Sequence, residues 1–150
     1  MVGIAILQAE INLTDRLIMK KLILLGLVVL LGGCAATSDM VNNQYMSTTP
    51  THTELNGFWT GVNGPYTVTY SFNKDGTGLM CSSWAGNNSL EKLKINGSEM
   101  VLQSGLKQTI KTQTESKLEL RANYYGGATY VYTPDPSLSN ASPYCEKAIR

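Results

Sequence analysis

Tyr66, Val68, Tyr70 and Phe72 alternate with Thr67, Thr69 and Ser71, and this period of two constrains the fold more than any other feature. Successive side chains of a strand point to opposite faces, so the run builds a strand with one buried and one wetter face. Leu118, Leu120 and Ala122 repeat the pattern among Lys117, Glu119, Arg121 and Asn123; Tyr130 and Tyr132 repeat it among Thr129, Val131 and Thr133. After Asn56 no window carries an apolar face at helical spacing, so helix is not expected there. Turn residues punctuate the runs at Lys74-Asp75-Gly76, Asn96-Gly97, Ser104-Gly105 and Gly126-Gly127. Asn-Gly is the strongest of these because both residues tolerate positive φ. The pattern predicts strands at 57–62, 66–73, 77–82, 90–95, 98–103, 107–113, 117–124 and 128–133. Eight short strands on tight turns predict an all-β, up-and-down antiparallel sheet. Closing it into a small barrel removes exposed edges; an open sandwich is the alternative. Side chains just fill the interior of an eight-stranded barrel, so Trp59, Tyr66, Tyr70, Phe72, Tyr130 and Tyr132 are expected first of all as core.

Composition narrows the class. The chain has 150 residues, a net charge of +1 and 15% charged side chains, which suits one domain and offers no basic footprint for nucleic acid. One His and three Cys leave too few ligands for a zinc cluster. No metal or other cofactor is implied, and a monomer is expected.

Residues 19–34 carry an address. Met19-Lys20-Lys21 is a short basic start, followed by an uncharged apolar run over 22–31 that ends in Gly32-Gly33-Cys34. A membrane-spanning helix needs about 20 apolar residues; this run is roughly half that and matches a helical secretory signal peptide. Leu31-Gly32-Gly33-Cys34 resembles the lipobox of bacterial lipoproteins. The resemblance implies diacylglyceryl transfer to the Cys34 thiol, cleavage before it and acylation of the new amine. Glu10 and Asp15 precede the basic pair, against the usual charge of a signal start, so Met19 is read as the initiator and residues 1–18 as a non-native extension; an unusually long basic-start region is the alternative. Signal peptide over 19–33, lipidated Cys34 with a tether to 56, and a β domain over 57–150 complete the expected organisation. From Cys34 onward, nine basic residues balance nine acidic ones, so membrane attachment rests on acyl chains, of which two or more hold stably. Ala35 is not the aspartate that retains such lipoproteins at the inner membrane in enteric bacteria; the resemblance implies the periplasmic face of the outer membrane.

Residues 35–56 are polar, with scattered Met40, Val41, Tyr45 and Met46, and such composition predicts a disordered, flexible tether. About 20 residues of this kind reach roughly 25 Å. His52 stands alone in it and reads as solvated. Cys81 and Cys145 remain once Cys34 is spent on lipid. An exported chain crosses an oxidising compartment, so the two are expected to pair rather than stay as free thiols, for a gain of roughly 4 kcal/mol in the chain-entropy account. No Cys-x-x-Cys marks redox activity.

Gly57-Phe58-Trp59 resembles the Gly-x-Trp that opens the first strand of lipocalins, where the Trp plugs one end of the barrel. Residues 70–78, Tyr-Ser-Phe-Asn-Lys-Asp-Gly-Thr-Gly, are similar to the Phe-x-x-Asp-Gly-Thr-Gly hairpin common in small lipocalin-like domains. The family's Thr-Asp-Tyr motif is absent. By the same resemblance Arg121 is a candidate cation over Trp59, a contact of about 1 kcal/mol. Gly126-Gly127-Ala128-Thr129-Tyr130 is fainter, similar to the inhibitory loop of periplasmic lysozyme inhibitors, which implies a second alternative function.

No catalytic residues are assigned. The single His lies in the tether, and Glu91, Lys92 and Lys94 read as a solvated strand face; proton transfer or nucleophilic attack needs groups the chain does not assemble. Two non-enzymatic readings follow. A lipid-anchored module contacts an envelope protein or cell-wall component through Tyr124-Tyr125-Gly126-Gly127, since aromatics are enriched at interfaces. Alternatively the barrel binds a small apolar or lipid ligand, with Trp59, Tyr66, Tyr70, Phe72, Tyr130 and Tyr132 lining the interior; across both readings Trp59, Tyr70, Tyr124, Tyr125 and Tyr130 are the candidate ligand or partner contacts. An open cavity of several hundred Å³ favours the second; a filled barrel with an exposed apolar patch favours the first.

Overall fold

A computed structural model describes residues 38–124 and 126–150. Eight strands run in order: β1 Gly57–Asn63, β2 Tyr66–Phe72, β3 Thr77–Trp84, β4 Asn87–Asn96, β5 Glu99–Leu102, β6 Lys107–Gln113, β7 Leu118–Ala122 and β8 Thr129–Pro134. Each is antiparallel to its sequence neighbour, and β8 returns to β1 to close an up-and-down barrel. All eight expected strands are present, and closure decides against the sandwich. The seam is short: β1 meets β2 from Gly57↔Phe72 to Asn63↔Tyr66, but meets β8 only at Trp59↔Pro134, Thr60↔Thr133 and Gly61↔Tyr132. Gly61 makes that seam possible. A Cβ there would lie 2.4 Å from the Val131 carbonyl oxygen and 2.7 Å from Tyr132 Cδ1.

Alternation turns one face of every strand inward. Trp59, Val68, Tyr70, Phe72, Leu93, Ile95, Met100, Leu118, Leu120 and Tyr132 form one continuous buried cluster. Tyr70 is its centre. It stacks on Phe72 with ring centroids 5.3 Å apart, meets Tyr132 edge-on at 5.0 Å, and donates its hydroxyl to Gln108 Oε1 at 2.9 Å. Trp59 and Leu55 plug the end from which β1 starts, with Trp59 Nε1 donating to the Asn56 carbonyl at 3.1 Å. Arg121 cannot reach this Trp. Leu120 and Ala122 are buried on the inner face, so Arg121 points outward and is exposed.

A second cluster lies outside the barrel. Phe58, Leu79 and Cys81 pack against Leu138, Cys145 and Ile149 of the C-terminal segment, and Cys81 and Cys145 form a disulfide with a Cα separation of 5.6 Å. The chain turns into this layer at Asp135, whose buried carboxylate accepts from the Asn140 N–H at 3.1 Å and Ser139 Oγ at 3.3 Å. It then enters a helix over Pro143–Ile149, a correction to the expectation of no helix after Asn56. The helix is two turns long, too short for a periodicity window. Its start is marked locally: Ser142 caps it by accepting from the Cys145 N–H, and Pro143 occupies the first turn.

The segment expected to be a free tether is held against the barrel from Asn43 onward. After a short helix, α1 (Ser38–Val41; the C-terminal helix is α2), residues 43–51 run along the outer face of β4 and β5. Lys94 Nζ donates to the carbonyls of Tyr45 and Thr48, both at 2.9 Å, and lies 4.7 Å from the Tyr45 ring centroid. The Thr51 N–H donates to the Ile95 carbonyl at 2.8 Å. Gly76, at φ +83°, admits this approach, because a Cβ would fall 2.1 Å from the Thr51 carbonyl oxygen. Composition missed the docking because the segment is held by hydrogen bonds and one cation–π contact rather than by its own apolar side chains.

Two outcomes follow. Gly61→Ala forces the seam apart and is expected to cost about 1–3 kcal/mol, read as a lower urea midpoint with the disulfide intact. Burial holds the Tyr70 phenol well above its ordinary range and pushes Tyr132, whose hydroxyl has no partner in good geometry, up to about 12. A phenol raised on folding contributes its full stability below the unfolded value near 10, and that stability is lost as pH rises through the folded value. Stability is therefore expected to fall by about 2 kcal/mol through Tyr132 alone between pH 10 and 12, with these two tyrosines ionising only as the chain unfolds, followed by tyrosinate absorbance.

Candidate binding site at the open end of the barrel

Core packing stops at the level of Tyr70. Beyond it, toward the β1–β2, β3–β4 and β5–β6 turns, the barrel opens into a cavity of about 420 Å³. The interior is therefore filled over one half only, a correction to the expectation of a filled barrel. Val68, Met80, Leu102, Leu106 and Ala122 give apolar walls, and Gln108, tied to Tyr70, sits among them. Nearer the mouth the lining turns polar with Asn63, Ser82, Asn87 and Ser89. Tyr66 and Trp84 pack ring against ring at 5.7 Å and stand partly exposed. The site is amphipathic, apolar below and polar with aromatics above.

Glu91 and Lys107 are the charged residues of the lining. Glu91 Oε2 accepts from the Ser104 N–H at 2.9 Å and so pins the β5–β6 turn. Lys107 pairs with Glu99 at 3.3 Å and donates to Gln44 Oε1 at 2.7 Å. Both charges are engaged by the protein, which leaves the cavity without a strong preference for either sign. The lining holds one carboxylate and no His or Cys. Such a site can hold a molecule of amphipathic character.

Glu91, Lys92 and Lys94 do not share a solvated face, which corrects the sequence reading. Leu93 and Ile95 are inward and buried, so Glu91 shares their side, while Lys92 and Lys94 face out. Lys92 is exposed, and Lys94 is half-buried beneath residues 45–48. The parity of Leu93 and Ile95 was the available signal for Glu91. Nothing local marked Gln108 or Lys107, which reach the cavity because β6 crosses it.

The structure spreads the other candidate residues. Trp59 and Tyr70 belong to the packed half, Tyr130 packs half-buried against it, and Tyr124 lines the mouth. The Tyr124 phenol, then partial burial, raises the pKa of Tyr130. Tyr66 and Trp84 complete the aromatic rim. Leu31, Gly32, Gly33, Cys34 and Tyr125 lie outside the described residues, as do the expected extension over 1–18 and the signal segment over 19–33. Among the described residues no helix is long and apolar enough to cross a membrane.

A closed eight-stranded meander, plugged at one end by the Trp of a Gly-x-Trp and open to a cavity at the other, defines a protein of the lipocalin class. Residues 41–149 match the family described as "Bacterial lipocalin LPS transport optimiser YedD", and the chain belongs to that family. Curated proteins and solved structures gave no significant match.

Proposed function

We propose that this protein is a non-catalytic, lipid-anchored accessory of lipopolysaccharide (LPS) transport in the cell envelope, working through the open half of its barrel. The family's description supplies the process, and the cavity carries the reading. Its 420 Å³ falls within the range of small-molecule sites and equals the liquid volume of about 14 waters. That is room for one slender alkyl chain or a small amphiphile, with the chain against Val68, Met80 and Leu102 and a polar head among the asparagines of the mouth. Between the two sequence readings, the cavity favours ligand binding over a purely external patch, while Tyr66, Trp84 and Tyr124 leave the rim suited to contact with an envelope partner. Attachment at the periplasmic face of the outer membrane is proposed through acyl chains on Cys34. The near-neutral charge of the body gives it no other strong attraction to anionic lipid.

Ala122→Trp places a large ring in the cavity wall. The variant is expected to stay folded and membrane-attached while losing the ligand that native mass spectrometry finds with the wild-type domain purified from its own envelope. Equal ligand occupancy in the variant, or an empty wild-type barrel, would count against the reading. Cys34→Ala is expected to leave the membrane pellet and appear in the soluble periplasmic fraction.

A further inference from the structure

The docked segment over residues 43–51 decides which end of the barrel lies nearest the anchor. β1 begins at the plugged end, beside Leu55 and Trp59. A free tether would therefore deliver the chain to the membrane from that end. The docked segment runs the other way. Thr51 is fixed at the β4–β5 hairpin by the Ile95 carbonyl and the Gly97 N–H, which is the plugged end. Thr49 accepts from Asn96, Thr48 and Tyr45 from Lys94, and Gln44 from Lys107. Asn43 Nδ2 then donates to the Gln103 carbonyl at 3.0 Å, in the β5–β6 turn beside cavity residues Leu102 and Leu106. Val101 on the outer face of β5 is 1% exposed, as expected of a side chain covered by this strap. The chain leaves the barrel at the mouth.

We propose that the strap aims the open mouth at the lipid bilayer, and that the Tyr66–Trp84 rim rests on the bilayer surface. This inference rests on acyl anchoring at Cys34. Eight residues separate Cys34 from Asn43, a contour of about 30 Å at full extension. Four of them form α1, whose rise of about 1.5 Å per residue shortens the span further. Trp and Tyr favour the water–lipid interface, where an apolar ring and a polar edge are both served. The rim meets that need: Trp84 is 46% exposed and Tyr66 38%; Tyr66 lines the cavity and Trp84 packs on its ring. Met40 and Val41, exposed at the anchor side of the strap, add apolar surface on the same approach. An amphiphile could then pass between bilayer and cavity without crossing open water.

The two tryptophans report on opposite ends, which makes the orientation measurable. Full-length lipidated protein is placed in phosphatidylethanolamine–phosphatidylglycerol vesicles carrying a nitroxide quencher at shallow depth. Trp emission is expected to be quenched in the wild type and several-fold less in Trp84→Phe, where only buried Trp59 remains. Lys94→Met and, independently, Tyr45→Ala release the strap; each is expected to lower Trp84 quenching several-fold while sedimentation with vesicles is unchanged. Near-ultraviolet circular dichroism checks that the barrel is intact, and the wild-type comparison needs no strap variant. Vesicle-bound wild type with unquenched Trp84 would overturn the orientation while leaving the anchor standing, as would quenching that stays at the wild-type level in both strap variants. Wild type that fails to bind vesicles would overturn anchoring, and the orientation with it.

Discussion

Tyr70 ties together three strands of the barrel that are not all neighbours. Its ring lies flat on Phe72 of its own strand and meets the edge of Tyr132 from β8, while its hydroxyl reaches Gln108 on β6. A buried phenol needs a partner, because an unmet hydroxyl loses its hydration without return. Gln108 supplies one from across the interior. The knot spans the barrel and sets the level at which packing ends. Below it large side chains exclude water; above it smaller and polar residues leave a cavity. The cavity exists because the large side chains stacked around Tyr70 fill the other half, while Val68, Met80 and Ala122 leave space beyond it.

A domain this small buries a modest core, and two external layers extend it. The C-terminal segment covers β1 and β3 and is stapled there by Cys81–Cys145. The strap is held on β4 through Lys94, whose register partner on β5 is the buried Val101. One layer uses apolar packing and a covalent bond, the other hydrogen bonds to backbone carbonyls. Both leave the mouth uncovered. The covered faces stabilise the plugged half and the walls, and the uncovered rim carries Tyr66, Trp84 and Tyr124.

Much of the fold was legible because a period of two is a property of the backbone alone. Tyr66 through Phe72 declares a strand whatever it pairs with, and Asn96-Gly97 declares a hairpin. Site residues were harder to find. Glu91 was hidden by its lysine neighbours, although Leu93 and Ile95 placed it on the inner face. Lys94 reads as a surface cation until Tyr45 and Thr48 are brought over it. The segment over 43–51 has the composition of a disordered linker because its stabilising partners lie 46 and 49 residues away on β4. α2 was missed for a different reason: two turns hold too few apolar positions to show a period.

What the chain determines by itself is local: strands that alternate, turns that permit positive φ, a capped Ser142-Pro143 start, and cysteines whose spacing and export context favour a bond. Closure, cavity and orientation belong to the tertiary structure. Whether eight strands leave a hollow depends on how side chains from opposite walls meet, and no window of sequence contains both Tyr70 and Gln108. Whether a polar segment floats or docks depends on carbonyls presented to a distant lysine. These are differences between contacts made across space and contacts made to water, and they are decided only when the walls are in place.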